Sequence, residues 1–360
     1  MHEKRLEKII NSMKNHHIDQ MIITSPDSIF YLLNEWIHPG ERMLALFLNS
    51  SGERKLFINE LFPIQKDLGV ELCIYNDTED PIDYLEKAIN PHKTMGIDKT
   101  WPSHFLIRLL KKKSGLQVEN GSIVVDKVRM IKDEEEINLM KKASSINDQA
   151  MGKIMEVIKT NKYTEMEITK KLEEIYAKYE TNGFSFDPLI CYGPNAAEPH
   201  HSSDKTPLKR NSSIIIDIGC FSNHYASDMT RSMFFGEPDE EYKKIYDLVL
   251  KANLAAISTI KPGVKFSTID KAARDVITNG GYGKYFTHRT GHNIGLCVHE
   301  YPDVSGANDM IVEEGMVFSI EPGIYLQEKY GVRIEDLVLV TKTGCEVLNQ
   351  FPKDLIIFDK

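Results

Sequence analysis

Ile214-Ile-Ile-Asp-Ile-Gly-Cys-Phe-Ser-Asn-His-Tyr-Ala-Ser-Asp-Met-Thr-Arg231 is the stretch on which the reading of the fold turns. An apolar run that stops on Asp217 and x-Gly predicts a strand and a turn, and Ser227-Asp-Met-Thr-Arg231 predicts the returning arm. Asp217 lies among isoleucines, which predicts burial, and a buried lone carboxylate is costly unless it is paired or bound to a metal. Asp228, on the return arm, is placed to sit across from it. The pattern recurs in Val317-Phe-Ser-Ile-Glu-Pro-Gly323 and Val332-Arg-Ile-Glu-Asp336, with Glu321 and Glu335 as the two acids. Strand, turn and strand with an acid on both arms, occurring twice, suggests two related halves that face each other.

Between the two pairs lies Thr287-His-Arg-Thr-Gly-His-Asn-Ile-Gly-Leu-Cys-Val-His-Glu300, rich in His and Gly as a backbone bending around a site would be. Four carboxylates in one pocket repel one another until some take up protons. Two divalent cations would cancel those charges and keep all four ionised. Four carboxylates and one imidazole form a mostly hard ligand set, which favours Mn(II) and admits Co(II), Fe(II) or Zn(II). Ions bridged in this way can activate a shared water for hydrolysis.

Outward from this region, Asp133-Glu-Glu-Glu136 opens a helix with a capping-box pattern, followed by an apolar stripe from Ile137 to Ile154. Further helices are expected over 163–179, 239–260 and 266–278, the last two separated by Lys261-Pro-Gly263. The N-terminal part alternates: a helix over 3–16, strands over 21–24, 43–48 and 55–58, a helix over 80–88, a strand over 94–98, a helix over 101–112 and a strand over 121–125. Such alternation predicts an α/β domain. It contains no phosphate loop or GxGxxG, and its reading is structural or oligomeric.

At these residues the chain resembles the Xaa-Pro peptidases, prolidase and aminopeptidase P, of the pita-bread dinuclear metallopeptidases. The resemblance runs from the strand at 21–24 and Tyr31-Leu32, through Arg129-Met-Ile-Lys-Asp-Glu134, to Gly331-Val-Arg-Ile-Glu-Asp336. It implies an N-terminal creatinase/prolidase-like α/β domain over 1–128 and a pita-bread (α+β) catalytic domain over 129–360. It implies Asp217 on the first metal, His292 and Glu321 on the second, and Asp228 and Glu335 bridging both. Gly193-Pro-Asn-Ala-Ala-Glu-Pro-His200 resembles the family segment whose His contacts the reacting carbonyl, with His299 as its counterpart. His288 would line the pocket and Arg333 would steady the carboxylates from behind. His201 is expected to be solvated and His224 to be a surface histidine. Asn293, where Gly is usual in the family, is expected to narrow the pocket. Cys220 and Cys297 read as small buried hydrophobes.

The resemblance implies hydrolysis of Xaa-Pro bonds by a metal-bridging hydroxide, with Glu321 as proton carrier and His200 and His299 supporting the oxyanion. The favoured reading is an Xaa-Pro dipeptidase, because Arg289 could clamp the proline carboxylate. An aminopeptidase acting on longer peptides, and a non-catalytic binding protein on the same fold, are the alternatives. Small proline-containing peptides are the expected partners, and a homodimer is the family expectation. In prolidase-like relatives the loop at 34–42 reaches across that dimer, which makes Glu35, Trp36 and His38 candidates to shape specificity.

Composition sets outer bounds. The chain has 360 residues, enough for two domains, with 53 acidic against 44 basic side chains. That acidic balance argues against a nucleic-acid binder. No apolar window reaches membrane-spanning length, and the N-terminus is charged throughout. Five widely spaced cysteines without CxxC disfavour a disulfide scaffold and suggest a reducing cytoplasm.

Overall fold

The structure is a computed structural model that describes residues 2–359. Met1 and Lys360, the outer ends of the two expected domains, lie outside the described residues. The chain divides into two compact units, Met1–Arg129 and Met130–Lys360.

In the first unit the order is α1 (Glu3–Asn15), β1 (Gln20–Ile23), α2 (Pro26–Leu33), β2 (Ala45–Asn49), β3 (Arg54–Asn59), β4 (Glu71–Tyr75), α3 (Pro81–Ala88), β5 (Met95–Ile97), α4 (Ser103–Lys112), β6 (Val118–Asn120) and α5 (Ser122–Met130), which ends just past the division. Its six strands form one mixed sheet, β4-β3-β2-β1-β5-β6. Phe47, Phe57, Ile82, Leu85 and Leu109 fill the core between that sheet and α3 and α4.

The strand expected over 121–125 is a helix, α5, and the strand lies earlier, at Val118–Asn120. The reason is local. The Asn120 side chain accepts from both the amide and the hydroxyl of Ser122, at 3.0 and 2.6 Å, which starts a helix. Val124, Val125 and Val128 are then buried at helical spacing; so short an apolar run has no decisive period. Two elements had no counterpart in the sequence reading. Helix α2 carries its signal in Ser25-Pro26, Pro at the first helical position. Strand β4 is a half-exposed sheet edge and so lacks a clean alternation.

The second unit continues with α6 (Glu134–Ile158), α7 (Glu165–Tyr176), β7 (Leu189–Tyr192), β8 (Ser212–Ile218), β9 (Phe221–Ser222), β10 (Tyr225–Ala226), β11 (Met229–Phe235), α8 (Glu240–Thr259), α9 (Phe266–Asn279), β12 (Gly291–Asn293), β13 (Glu300–Val304), β14 (Val317–Ile320), β15 (Gly323–Leu326), β16 (Tyr330–Arg333), β17 (Asp336–Val340), β18 (Cys345–Val347) and β19 (Ile356–Phe358). The capping box of α6 is formed: Asp133 accepts from the Glu136 amide at 3.0 Å and Glu136 accepts from the Asp133 amide at 2.9 Å.

Two helix-on-sheet halves result. In one, α6 and α7 pack on the sheet β19-β11-β8-β7 through Ile154, Leu172, Ile190 and Ile216. In the other, α8 and α9 pack on β13-β12-β14-β17-β18 through Val249, Phe266, Phe318 and Val338. The first half carries Asp217 and Asp228, the second His292, Glu321 and Glu335. The polar ends of apolar strands are thus brought to one place while their flanks supply the two cores.

Candidate metal centre

Each acid is set by its strand. In the β8–β11 pair Asp217 faces Thr230, so Asp228, two residues before Thr230, projects on the same side as Asp217 rather than directly opposite it. The bend after Asp217 needs glycine: a Cβ on Gly219 would lie 2.2 Å from both Ser185 Oγ and the Ser227 carbonyl oxygen. His292 follows Gly291, where a Cβ would come within 1.9 Å of the Ser319 carbonyl oxygen; glycine lets β12 press against β14. Glu335 lies between β16 and β17, tied back by its amide to the Thr230 carbonyl at 3.1 Å.

Thr230 is an organiser that the sequence reading passed over, although it stands inside the quoted motif. Its hydroxyl donates to Glu335 Oε2 at 2.8 Å and accepts from Arg333 Nε at 3.1 Å. Arg333 also donates to Asp217 Oδ2 at 2.7 Å and to the Tyr325 hydroxyl at 2.9 Å. That hydroxyl lies 2.9 Å from His288 Nε2. Behind them, the buried Arg231 guanidinium donates to the Glu335 carbonyl at 2.6 Å and to Asp336 Oδ1 at 2.8 Å. No isolated signal marks Tyr325 or Arg231 in sequence, because their roles depend on which strands meet.

A cavity of about 550 Å³ opens over this centre. Asp217, Asp228, Glu321, Glu335 and His292 line it, together with Arg333. His200, His288, Arg289 and His299 complete the wall, so the five expected metal ligands and the five histidine and arginine residues expected around them meet here; Glu35, Trp36 and His38 are not among its lining residues. His299 lies edge-on to His292, ring centres 4.2 Å apart. Arg289 is exposed, and among the described residues no ion pair engages its guanidinium.

Three expectations need correction. His201 is not a solvated side chain: it is half-buried and its Nε2 lies 2.9 Å from Glu165 Oε2. Asn293 does not line the cavity; its buried amide donates to the Pro302 carbonyl at 2.9 Å. Cys297 is half-buried rather than buried, whereas Cys220 is buried, and His224 is half-buried.

The electrostatics follow from crowding. Burial, then Glu335, pushes the Asp228 carboxyl well above its usual range. Burial, then Glu321, does the same to Glu335. Burial raises Glu321 to about 7. Burial, then His299, pushes His292 down to about 3, and burial, then Arg333, pushes His288 down to about 4. Both imidazoles are therefore neutral near pH 7, the form in which a ring nitrogen can bind a metal.

The donor set fits divalent cations. Asp217 Oδ1 and Asp228 Oδ1 are buried without a hydrogen-bond partner among the described residues, which is expensive unless something else meets them. His292 Nε2 lies 3.7 Å from Asp228 Oδ2 and 3.6 Å from Glu321 Oε1. Ligand atoms of Asp228, His292 and Glu335 all fall within 4.8 Å of one another. Such spacings suit ligands that share an ion at roughly 2.1 Å each. His292 Nδ1 faces the Asn293 carbonyl at 3.2 Å, which places the ring proton there and leaves Nε2 open toward the acids.

The chain is also similar in sequence and fold to known proteins. The model of Metallopeptidase family M24 matches residues 138–342, and that of the Creatinase/Prolidase N-terminal domain matches residues 5–131. An uncharacterized peptidase of Staphylococcus aureus strain MRSA252 is 36% identical over 358 residues, covering 97% of this chain and 99% of its own. A prolidase from Thermococcus sibiricus superimposes with a TM-score of 0.95 at 30% identity, covering 99% of both chains. An Xaa-Pro dipeptidase from Bacillus anthracis gives 0.90 at 30% identity, again with 99% of both chains.

Proposed function

The chain belongs to metallopeptidase family M24, with a creatinase/prolidase N-terminal domain, and from that premise we propose that it hydrolyses Xaa-Pro peptide bonds, chiefly those of dipeptides. The catalytic part is residues 129–360. The supporting observation is the meeting, in one cavity, of four carboxylates and His292 with an exposed Arg289 that no ion pair engages among the described residues. Asp217, Asp228, His292, Glu321 and Glu335 would hold two divalent ions, most simply Mn(II), with Co(II), Fe(II) or Zn(II) as substitutes. Bound there, the ions supply Lewis acidity and a water acidic enough to be a nucleophile near neutral pH.

The protein's own groups do the rest. Glu321, which lines the cavity, is suited to take a proton from the attacking water and return it to the departing proline nitrogen. That nitrogen has no hydrogen of its own in an Xaa-Pro bond, so it must receive one to leave as an amine. His200 and His299 donate to the carbonyl oxygen as charge develops on it. His288, held by the Tyr325 hydroxyl, forms the wall beside the proline. Arg289 pairs with the proline carboxylate, a group present at that position only in a dipeptide.

Arg333 stays on Asp217, so it keeps the carboxylates apart rather than meeting substrate. The relationship to prolidases supports a homodimer, which light scattering of the purified protein measures. Among the described residues no helix is long and apolar enough to cross a membrane. The five free cysteines support a cytoplasmic setting.

A peptide panel tests the reading. Mn(II)-loaded protein should cleave Leu-Pro at least roughly tenfold faster than Leu-Pro-Pro, the span that a single charge contact can supply, and EDTA should remove the activity. Cleavage of the longer peptide alone would assign the aminopeptidase reading instead. Metal binding without turnover of either peptide would assign a binding protein.

A further inference from the structure

A carboxylate outside the cavity grips the segment that carries His200. Glu165, the first residue of α7, is completely buried. Its Oε1 accepts from the Tyr192 amide at 2.7 Å and from Asn195 Nδ2 at 3.0 Å. Its Oε2 accepts from the Asp204 amide at 3.0 Å and faces His201 Nε2 at 2.9 Å. Glu165, His201 and Asp204 lie close enough together to suggest a second cation site. The bonding argues otherwise: both Glu165 oxygens already meet two nitrogen donors each, so little acceptor capacity is left for an ion.

All four donors belong to the segment 192–204, and His200, exposed at the cavity, is part of it. Its neighbour His201 is drawn inward to Glu165. The other oxyanion histidine shows the same device. His299, also exposed, is followed by Glu300, whose carboxylate pairs with Lys132 at 3.2 Å, the two side chains 8% and 1% exposed. In both cases the residue next to an exposed histidine is anchored to a buried side chain, Glu165 or Lys132.

We propose that Glu165 is a positioning residue for His200: by holding His201 and the backbone around it, it fixes the path from which His200 reaches the substrate carbonyl. The proposal rests on the role given above to His200. Oxyanion donors act only when they are aimed before the reaction begins, and a misplacement of about 1 Å can cost roughly a hundredfold in rate.

Glu165→Gln keeps the shape but turns an N–H toward the Asp204 amide. It should lower kcat/KM on Leu-Pro roughly 10- to 100-fold with metal content unchanged. In a His200→Ala background the same change should cost almost nothing more, since the group it aims is gone. His201→Gln, which still offers an N–H, should stay near wild type, and His201→Leu should follow Glu165→Gln. Hydrogen exchange of the 192–204 amides should quicken in Glu165→Gln and His201→Leu whatever the activity. A Glu165→Gln loss that multiplies undiminished with His200→Ala overturns the proposal, as does wild-type exchange in this segment. If the wild-type enzyme cleaves no Xaa-Pro peptide, the reading of the cavity falls, and the exchange result alone decides whether the tether exists.

Discussion

Asp98 in the N-terminal unit and Asp228 in the catalytic unit are both buried aspartates beside the end of a strand, yet their surroundings are opposites. Asp98 Oδ2 accepts from the amides of Thr24 and Ser25, at 3.1 and 3.0 Å. Its Oδ1 accepts from the Thr24 hydroxyl at 2.9 Å and from the Thr100 amide and hydroxyl at 3.0 and 3.1 Å. Asp228 has one oxygen without a partner among the described residues, and its neighbours include Glu335, Asp217 and Glu321. The first carboxylate is met by donors and stitches a loop to a sheet end. The second is met by other acids, an arrangement that is costly until protons or cations offset the charge.

The largest effect expected from that contrast is on chemistry. Glu321→Gln should retain the fold and lose kcat on Leu-Pro by about 10²–10⁴-fold, the range for a proton-transfer group. Asp98→Asn should leave kcat unchanged. A Glu321→Gln enzyme with wild-type turnover would remove Glu321 from the reaction.

Stability should then divide the two aspartates in the opposite direction. Asp98→Asn puts an N–H where hydrogen-bond donors converge and should cost about 1–3 kcal/mol, read by denaturant unfolding. Asp228→Asn removes one of four crowded acids. Its metal-free form should be at least as stable as metal-free wild type, while its metal content falls. Loss of stability in metal-free Asp228→Asn equal to that of Asp98→Asn would mean that the two sites do not differ in kind.

The contrast also explains what could be read from sequence. The four acids of the cavity were legible because each stands beside the end of an apolar strand, and burial of a charge there needs a reason. The pairing of the two halves was legible in the repeat of Asp217 and Asp228 by Glu321 and Glu335. Thr230, Tyr325 and Glu165 were not, since a hydroxyl or carboxylate acquires its role only when chain segments far apart are brought together. The shift from strand to helix at Ser122 was hidden for another reason: Asn120 decides it through a side-chain bond, not through apolar periodicity. His201 was misread because its neighbour His200 faces the cavity while its own partner comes from α7.

A smaller effect is expected at the rim. Arg289→Ala should raise KM for Leu-Pro roughly tenfold, the worth of one exposed charge-assisted contact, and leave Leu-Pro-Pro nearly unaffected. Equal losses on both peptides would place Arg289 in support of the site rather than in recognition of a terminal carboxylate.

The smallest signal is a count of protons, and it bears directly on the two aspartates. In the ion-free protein burial and mutual repulsion hold Asp228 and Glu335 well above the usual carboxylate range and Glu321 at about 7. Acids raised in this way hold their protons to higher pH than ordinary carboxylates, so loading with Mn(II) drives off those that remain. His292 and His288, pushed down to about 3 and about 4, are already neutral there and have no proton to give. Titration of weakly buffered protein with MnCl₂ should therefore acidify the solution at pH 6–7. Glu321's share should fall as the pH rises through about 7, because that carboxyl is then ionised before the metal arrives. Asp228→Asn should release less, and Asp98→Asn as much as wild type. Metal binding without acid release at pH 6 would show that Asp228, Glu335 and Glu321 are already ionised in the empty site, and that donors, not cations, hold them apart as they do around Asp98.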